Sequence, residues 1–519
     1  MLVHDIIRLN AKHRRDDEAL IVGGRRLRYG ELQAECEAVA QALLAAGVQK
    51  GDRVAVLGRN SLEYLLLYFA TAATGSILVP LNFWHRAAEH QHVISDCQPR
   101  LLFVEPELEN QLVGVDNTAQ VIRFAGEGAA QGAPHDWSEF VSAVDFPPAS
   151  LPEVIAEDPH MILYTSGTTG RPKGALLSHG RTITDALGML AALRVRANDT
   201  YLNYFPPFHV GNWDHMKLFL MAGARVVLLR QFDAPEVLRL IARERATVIL
   251  GVPTMLHDLL SQPNFDATDK SSIRLVYYGA YDPSGIMRRV ADAFGAPEGR
   301  IEMSHTLGMT EAGPFVTLCL PHEVFDHWGS VGRPIPGVEV EIRDDDGTPV
   351  PAGEPGEVCV RGPMMSEYWN NPEATATALA GGWLHTGDIA VANDEGFLYI
   401  VDRKKDMIRS GGQNVYSKEV EDCLQAHPAV EAAATIGLPD ERYEERVCAI
   451  VVLADGVAAD ESTEEELRAH VRRSLAGYNT PREFRFVSEL PRNAVGKIQK
   501  HVLRDTYGST FSTARTKTP

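Results

Sequence analysis

The stretch YTSGTTGRPKG, Tyr164 to Gly174, sets Thr165, Ser166, Thr168 and Thr169 around Gly167 and ahead of Gly170, then adds Arg171 and Lys173. Such a loop can hold a polyanion. Glycine lets backbone N–H groups come close, hydroxyls donate without bulk, and the lysine adds a positive charge. The same composition also suits a flexible linker. Two other enzymatic readings fail on spacing. A Walker loop needs Gly-x-x-x-x-Gly-Lys-Ser/Thr, but Gly170 is followed by Arg171, Pro172 and Lys173. A nucleophile elbow needs Gly-x-Ser-x-Gly, and Ser166 lacks the first glycine.

An apolar run, MILY, leads into the loop, so the elements around it must include a strand. The chain has 519 residues, enough for two to four domains, and 45% hydrophobic with 23% charged residues is ordinary for a globular protein. A net charge of −19 argues against general nucleic-acid binding, yet leaves room for one small anion at a local positive site. Cys36, Cys97, Cys319, Cys359, Cys423 and Cys448 form no CxxC pair and read as isolated small hydrophobes in a reducing compartment. The start, MLVHDIIRLNAKHRRDDEAL, carries charges where a secretory segment needs apolar residues, and the apolar runs are of strand length. A cytoplasmic protein without membrane insertion is expected. The oligomeric state is open, a homo-oligomer included.

Strand-like runs alternate with helical patterns: VAVL (54–57), ILVP (77–80), LLFV (101–104), VVLL (226–229), TVILGV (247–252) and LVYY (275–278). This order predicts βαβ units and largely parallel sheets. From Val338 the texture changes to short alternating strands with Gly and Asp turns, VEVEIRDDDGTPV, GEVCVRG and GFLYIVDR, a β-rich subdomain. After DRKKDMIRSGGQN a helix is expected from Ser417 as N-cap. Strands VCAIVVL and FRFV flank a further helix, giving a small terminal α+β domain. The tail GSTFSTARTKTP reads as disordered.

Taken with four more segments, the loop resembles the phosphate loop of the adenylate-forming superfamily, which contains acyl-CoA synthetases, firefly luciferase and peptide-synthetase adenylation domains. LGMTE (307–311), GWLHTGD (382–388), DRKKDMIRSGGQNV (402–415) and PRNAVGK (491–497) resemble the other family motifs and follow in the family's order. In wording they are closest to the acyl-CoA ligases.

The resemblance implies an α/β fold: a large N-terminal domain, residues 1–404, of βαβ-type sheets plus a β-rich subdomain, then a small mobile α+β lid, residues 405–519, turning at Lys405. It implies ATP, Mg²⁺ and coenzyme A. Thr165, Ser166, Gly167, Thr168, Thr169, Gly170 and Lys173 would cradle the β- and γ-phosphates. Thr310 would donate to the α-phosphate and Glu311 would hold Mg²⁺, a hard cation suited to one carboxylate plus phosphates. Asp388 would accept the ribose hydroxyls, with Arg403 beside it. Lys497 would bridge the substrate carboxylate and the α-phosphate, offsetting the repulsion of two anions. Gly411 and Gly412 would leave room for the pantetheine arm.

His209, in FPPFHVGNW, stands where the family often has an aromatic or a histidine at the mouth of the acyl pocket. A satisfied structural histidine is the other reading. Trp213, His305, Thr306, Gly308 and Met309 are candidate pocket residues and suggest a large apolar acid: fatty, aryl or polycyclic. Three positions depart from the family. Leu307 replaces the usual Tyr against adenine. Gly279-Ala280-Tyr281 replaces Gly-Gly-Ala, so Tyr281 could supply the missing ring or fill the acyl pocket. Asn479 follows Tyr478 where a basic residue is common.

The expected reaction is acid plus ATP to acyl-adenylate and pyrophosphate, then transfer to coenzyme A with release of AMP. Two alternatives stay open: an enzyme efficient only at thioester formation from a supplied adenylate, or a stand-alone adenylation enzyme loading a carrier protein. Asp214 keeps an amino-acid substrate in play, because amino-acid-activating members place an Asp nearby.

Overall fold

The structure is a computed structural model, and it describes residues 1–126, 136–143, 149–165, 171–279, 285–440, 442–492 and 498–508. Two compact units make up the chain. The first takes Met1–Ala280, Met287–Val340 and Cys359–His385; the second takes Tyr281–Ile286, Glu341–Val358 and Thr386–Pro519. A boundary at 404/405 cuts within this second unit.

The first unit holds two large sheets. One has seven strands in the order Glu367–Tyr368, Lys173–Ser178, Pro159–Thr165, Ile77–Pro80, Arg53–Leu57, Leu101–Val104 and Gln120–Arg123. Its inner strands pair in parallel, and the Pro159–Thr165/Lys173–Ser178 pair and the edge strand are antiparallel. The other has nine strands, with Thr200–Asn203, Arg225–Leu228, Val248–Gly251, Leu275–Gly279 and Glu302–Met309 among its parallel members. The strand-like runs read from the sequence thus lie in these sheets. Each shifts by no more than a residue or two at its ends, as expected where ends fray.

Chain chemistry explains the helices between the strands. In Leu62–Thr74 nearly every residue is buried, the signature of a helix covered on all sides. Ser61 caps it by accepting from the Tyr64 amide, and Gly75 ends it at φ 65°. Asp233 caps Ala234–Glu244 in the same way. The six cysteines are free, and all but Cys423 are buried.

The second unit carries most of a four-stranded sheet, Glu339–Arg343, Pro355–Arg361, Leu384–Ala392 and Leu398–Arg403, and a five-stranded sheet backed by the helices Ser417–Gln425, Glu461–Ser474 and Lys500–Gly508. Ser417 departs from the expectation. It is the first helical residue and not the cap, and its hydroxyl donates to Asp402 Oδ2 at 2.8 Å and accepts from Lys500 Nζ at 2.6 Å; Tyr416 precedes the helix without a side-chain cap. Residues 509–519, most of the tail expected to be disordered, lie outside the described residues. Among the described residues no helix is long and apolar enough to cross a membrane.

Candidate active site

The phosphate-loop segment is a hairpin connection. Thr165 and Lys173 are register partners across the antiparallel pair Pro159–Thr165 and Lys173–Ser178, so the loop leaves and re-enters the sheet at one point. Ser166, Gly167, Thr168, Thr169 and Gly170 lie outside the described residues. Tight packing under the hairpin dictates Gly174. A methyl there would sit 2.6 Å from the Ile162 side chain.

Thr310 and Glu311 occupy the short turn between the antiparallel strands Glu302–Met309 and Gly313–Cys319. Two glycines shape it. The register slips between Leu307 and Met309, and a Cβ on Gly308 would collide with the Pro314 carbonyl. Gly313 has φ 103° and faces the Asp185 carboxylate. Gly308 therefore serves backbone approach, and its bareness is explained without an acyl chain.

Glu311 is 7% exposed. Its Oε1 accepts from Tyr368 Oη at 2.8 Å and, at the 3.5 Å limit, from Thr165 Oγ1. The Lys173 ammonium lies 5.4 Å from the centre of the Tyr368 ring. Burial, then the Glu311 carboxylate, raises the Tyr368 phenol well above its ordinary pKa, so the phenol keeps its proton and donates it. Among the described residues Glu311 has no cationic side chain in ion-pair reach. A buried carboxylate that accepts from two hydroxyls, beside the strand pair flanking the candidate phosphate loop, is an oxygen donor set that fits Mg²⁺.

Tyr368 is brought in by the edge strand Glu367–Tyr368, which pairs with Lys173–Ser178. The neighbouring chain is tied down at both sides. Met365 N donates to Glu311 O at 2.7 Å, Trp369 N to Gly174 O at 2.7 Å, and Trp369 Nε1 to Asp96 O at 3.2 Å. Asp96 also accepts from Tyr164 Oη at 2.6 Å. The sequence reading missed Tyr368. The run EYWNNPEAT, with an aromatic pair before Asn, was the available signal.

Base-site candidates meet on adjacent strands. Gly279 pairs with Thr306, and Leu307, half-buried, follows directly. Ala280 and Tyr281 lie outside the described residues, so the role expected of Tyr281 stays a sequence expectation. Thr306 spends its hydroxyl on the Thr317 carbonyl at 2.8 Å. His305 stacks on Tyr278, centroids 4.3 Å apart, and its Nδ1 contacts Ser330 O at 2.8 Å. Met309 is half-buried.

The structure places Trp213 in the core. It is 2% exposed and stacked on Tyr68 at 4.5 Å, and its indole N–H donates to Pro207 O. His209 caps the helix Val210–Met221: Nδ1 accepts from Gly211 N at 3.0 Å, which leaves the proton on Nε2. Burial pushes its pKa down to about 4, so the ring is neutral at pH 7.

Beneath the Thr310–Glu311 turn lies a buried ion network that the sequence reading also missed. Arg181 donates to Asp214 Oδ2 at 3.4 Å and to Thr310 O at 3.3 Å. Lys217 pairs closely with Asp214 and lies 3.9 Å from Asp185. All four side chains are 3% exposed or less. Burial works against charge on Asp214, but Lys217 and Arg181 overcome it and hold the pKa low. Asp185, farther from Lys217, is pushed by burial up to about 7. Asp214 is therefore committed to Lys217 and Arg181, which removes the observation that kept an α-amino acid in play. Charges three and four apart on apolar helices, Asp214/Lys217 and Arg181/Asp185, were the signal.

In the second unit Asp388 and Arg403 face each other across antiparallel strands, with Arg403 Nε 2.6 Å from Asp388 Oδ1. Asp388 is 4% exposed, and its amide donates to Thr386 Oγ1 at 3.0 Å. Gly411 and Gly412 form the two-residue turn between Ile408–Ser410 and Gln413–Val415, with φ 62° and 78°. Paired positive φ is what a tight hairpin demands. Space beside Gly412 is open: a Cβ there would meet nothing within 4 Å. Lys405 is exposed, and its carbonyl accepts from Arg504 at 3.3 Å, while Arg504 also pairs with Asp406 at 2.8 Å. Asn479 is buried and donates to Glu419 at 3.0 Å. Lys497 lies outside the described residues.

Residues 7–369 match the model of the AMP-binding enzyme family, and 419–497 match that of the AMP-binding enzyme C-terminal domain. The chain belongs to the AMP-binding enzyme family. It is 38% identical to a feruloyl-CoA synthase of an Amycolatopsis species, over 94% of this chain and 95% of that one. It is 37% identical to an indoleacetate–CoA ligase of Aromatoleum aromaticum, over 92% and 93%. The crystal structure of ATP-bound MatB from Rhodopseudomonas palustris superposes with a TM-score of 0.86 at 31% identity, covering 98% of this chain and 99% of that one.

Proposed function

We propose that this AMP-binding enzyme is an AMP-forming acid–CoA ligase acting on a large, flat, apolar carboxylic acid, an aryl acid above all. A carboxylate oxygen attacks the α-phosphorus of ATP, and pyrophosphate leaves. The thiol sulfur of coenzyme A then attacks the acyl carbon, AMP leaves, and the thiol proton goes to solvent.

The observation that carries the reading is the Thr165–Glu311–Tyr368–Lys173 cluster at the point where the phosphate loop joins its sheet. It brings a lysine and a buried carboxylate to the same tyrosine, an arrangement that suits a metal–triphosphate complex. Thr165, Lys173 and Thr310 would face phosphate, and Glu311 would hold Mg²⁺, which when bound neutralises phosphate charge. Asp388 and Arg403 would take the ribose. Lys497 would serve adenylation, and Lys405 would be the turning point of the lid. For the acid, both curated relatives named above bear names of aryl or indolyl acid ligases. Phe208, next to His209, meets Phe83 and Trp84 edge-to-face, each with centroids 5.0 Å apart, an aromatic surface suited to an apolar acid.

A panel of acetate, α-amino acids, medium-chain fatty acids and hydroxycinnamic or indolic acids, with ATP, Mg²⁺ and coenzyme A, tests this. AMP and thioester should appear together and fastest with the aromatic acids. Equal turnover of acetate, or AMP without thioester, contradicts it.

A further inference from the structure

We propose that Tyr368 is a positioning residue for adenylation, tying the carboxylate of Glu311 to the lysine of the phosphate loop. The proposal rests on the reading of Glu311 as the Mg²⁺-holding residue.

Both described donors to Glu311, Tyr368 Oη and Thr165 Oγ1, reach the same oxygen, Oε1. Oε2 accepts from none of the described residues, so the phenol turns one edge of the carboxylate inward and leaves the other oxygen for a cation. The Tyr368 hydrogen bond is the shorter of the two, 2.8 Å against 3.5 Å, and it is the one that sets the carboxylate's plane. The ring does a second task. Lys173 lies 5.4 Å from its centre, within reach of a cation–π contact that keeps the ammonium near the loop without neutralising it.

The backbone gives Tyr368 the rigidity such a role needs. Its strand is hydrogen-bonded to Lys173–Ser178, Tyr368 N donates to Thr375 Oγ1 at 2.9 Å, and Met365 N binds the carbonyl of Glu311 itself. The edge strand holds Glu311 by the Tyr368 side chain, and Met365, two residues before that strand, holds it by main chain, while the strand partner begins with Lys173.

Tyr368→Phe keeps the ring and removes the hydroxyl. Mn²⁺ binding by the full-length enzyme with α,β-methylene-ATP, followed by electron paramagnetic resonance, should weaken about tenfold or more, as for loss of a hydrogen bond to a charged group. The melting temperature should change little, and the Mg²⁺ concentration for half-maximal adenylation should rise in parallel. Tyr368→Leu, which also removes the ring, should add a rise in KM for ATP as Lys173 loses its neighbour. Glu311→Gln separates the two ideas. If it leaves Mn²⁺ binding intact, the metal reading of Glu311 fails. If it abolishes binding while folded Tyr368→Phe and Tyr368→Leu both bind Mn²⁺ like the wild type, the positioning role of Tyr368 is overturned.

Discussion

Single side chains in this protein are committed by their partners. Asp388 shares its carboxylate with Arg403 at 2.6 Å, and burial keeps it out of bulk water. A fixed, partly neutralised carboxylate can accept hydroxyl hydrogens without a large desolvation cost on binding. Asp388→Asn swaps one acceptor oxygen for a donor and breaks the pair. KM for ATP should rise about tenfold or more, the size of a hydrogen bond to a charged group, with KM for the acid little changed. Steady-state kinetics with each substrate varied in turn checks this; an effect on the acid alone would move Asp388 out of the nucleotide site. Motif wording made Asp388 and Arg403 legible, since each sits in its own signature. Their adjacency was not, because it depends on the register of two strands.

At the scale of elements, the helices His179–Leu193 and Val210–Met221 pack a charged quartet under the Thr310–Glu311 turn. Arg181 reaches up to the Thr310 carbonyl. Two basic and two acidic side chains share one buried site, and Lys217 sits closer to Asp214 than to Asp185. Burial moves Asp185 from an ordinary 3.8 up to about 7, against the pull of Arg181 and Lys217. The folded state therefore favours the protonated acid. That contribution is full below about pH 4, shrinks as pH rises, and is gone above about pH 7. Asp185→Asn cannot titrate. Measured by urea unfolding, the wild type should lose ground to this variant as pH rises across that window, by up to about 1.4 kcal/mol per pH unit, and then level off. A difference that stays constant with pH would mean that Asp185 is ionised in the fold. The quartet was half legible: the charges stand out on apolar helices, but nothing local says that the two helices face each other. Trp213 shows the same gap. Its place beside His209 suggested a pocket wall, and tertiary packing stacked it on Tyr68.

At the scale of the whole molecule, the expected chemistry needs two different faces of the C-terminal segment. On the proposed reading Lys497 would serve one half-reaction and the Gly411-Gly412 turn the other. The space beside Gly412 is open, so a side chain there would project into it, on the side where the proposed reading brings the pantetheine arm. Lys497→Ala should abolish acyl-adenylate formation while a supplied adenylate still reacts with coenzyme A. Gly412→Leu should do the reverse. Rapid-quench assays of each half-reaction decide it, and equal loss of the same step in both variants would sink the separation. Asn479 is buried against Glu419, so its departure from a basic residue goes with a packed, neutral role.

By itself the sequence determined the family, the order of the motifs and most strands and helices. Those signals are local: glycine where a turn needs positive φ, hydroxyls beside a lysine, apolar residues at sheet or helix period. Tertiary structure alone decided what stands beside Glu311. Thr165 lies 146 residues away in sequence and Tyr368 lies 57 away, and they meet through sheet pairing and a hairpin turn. A hydrogen bond between distant residues leaves no periodicity or local propensity behind it, so the partner of a buried carboxylate such as Glu311 becomes visible when the strands are laid side by side.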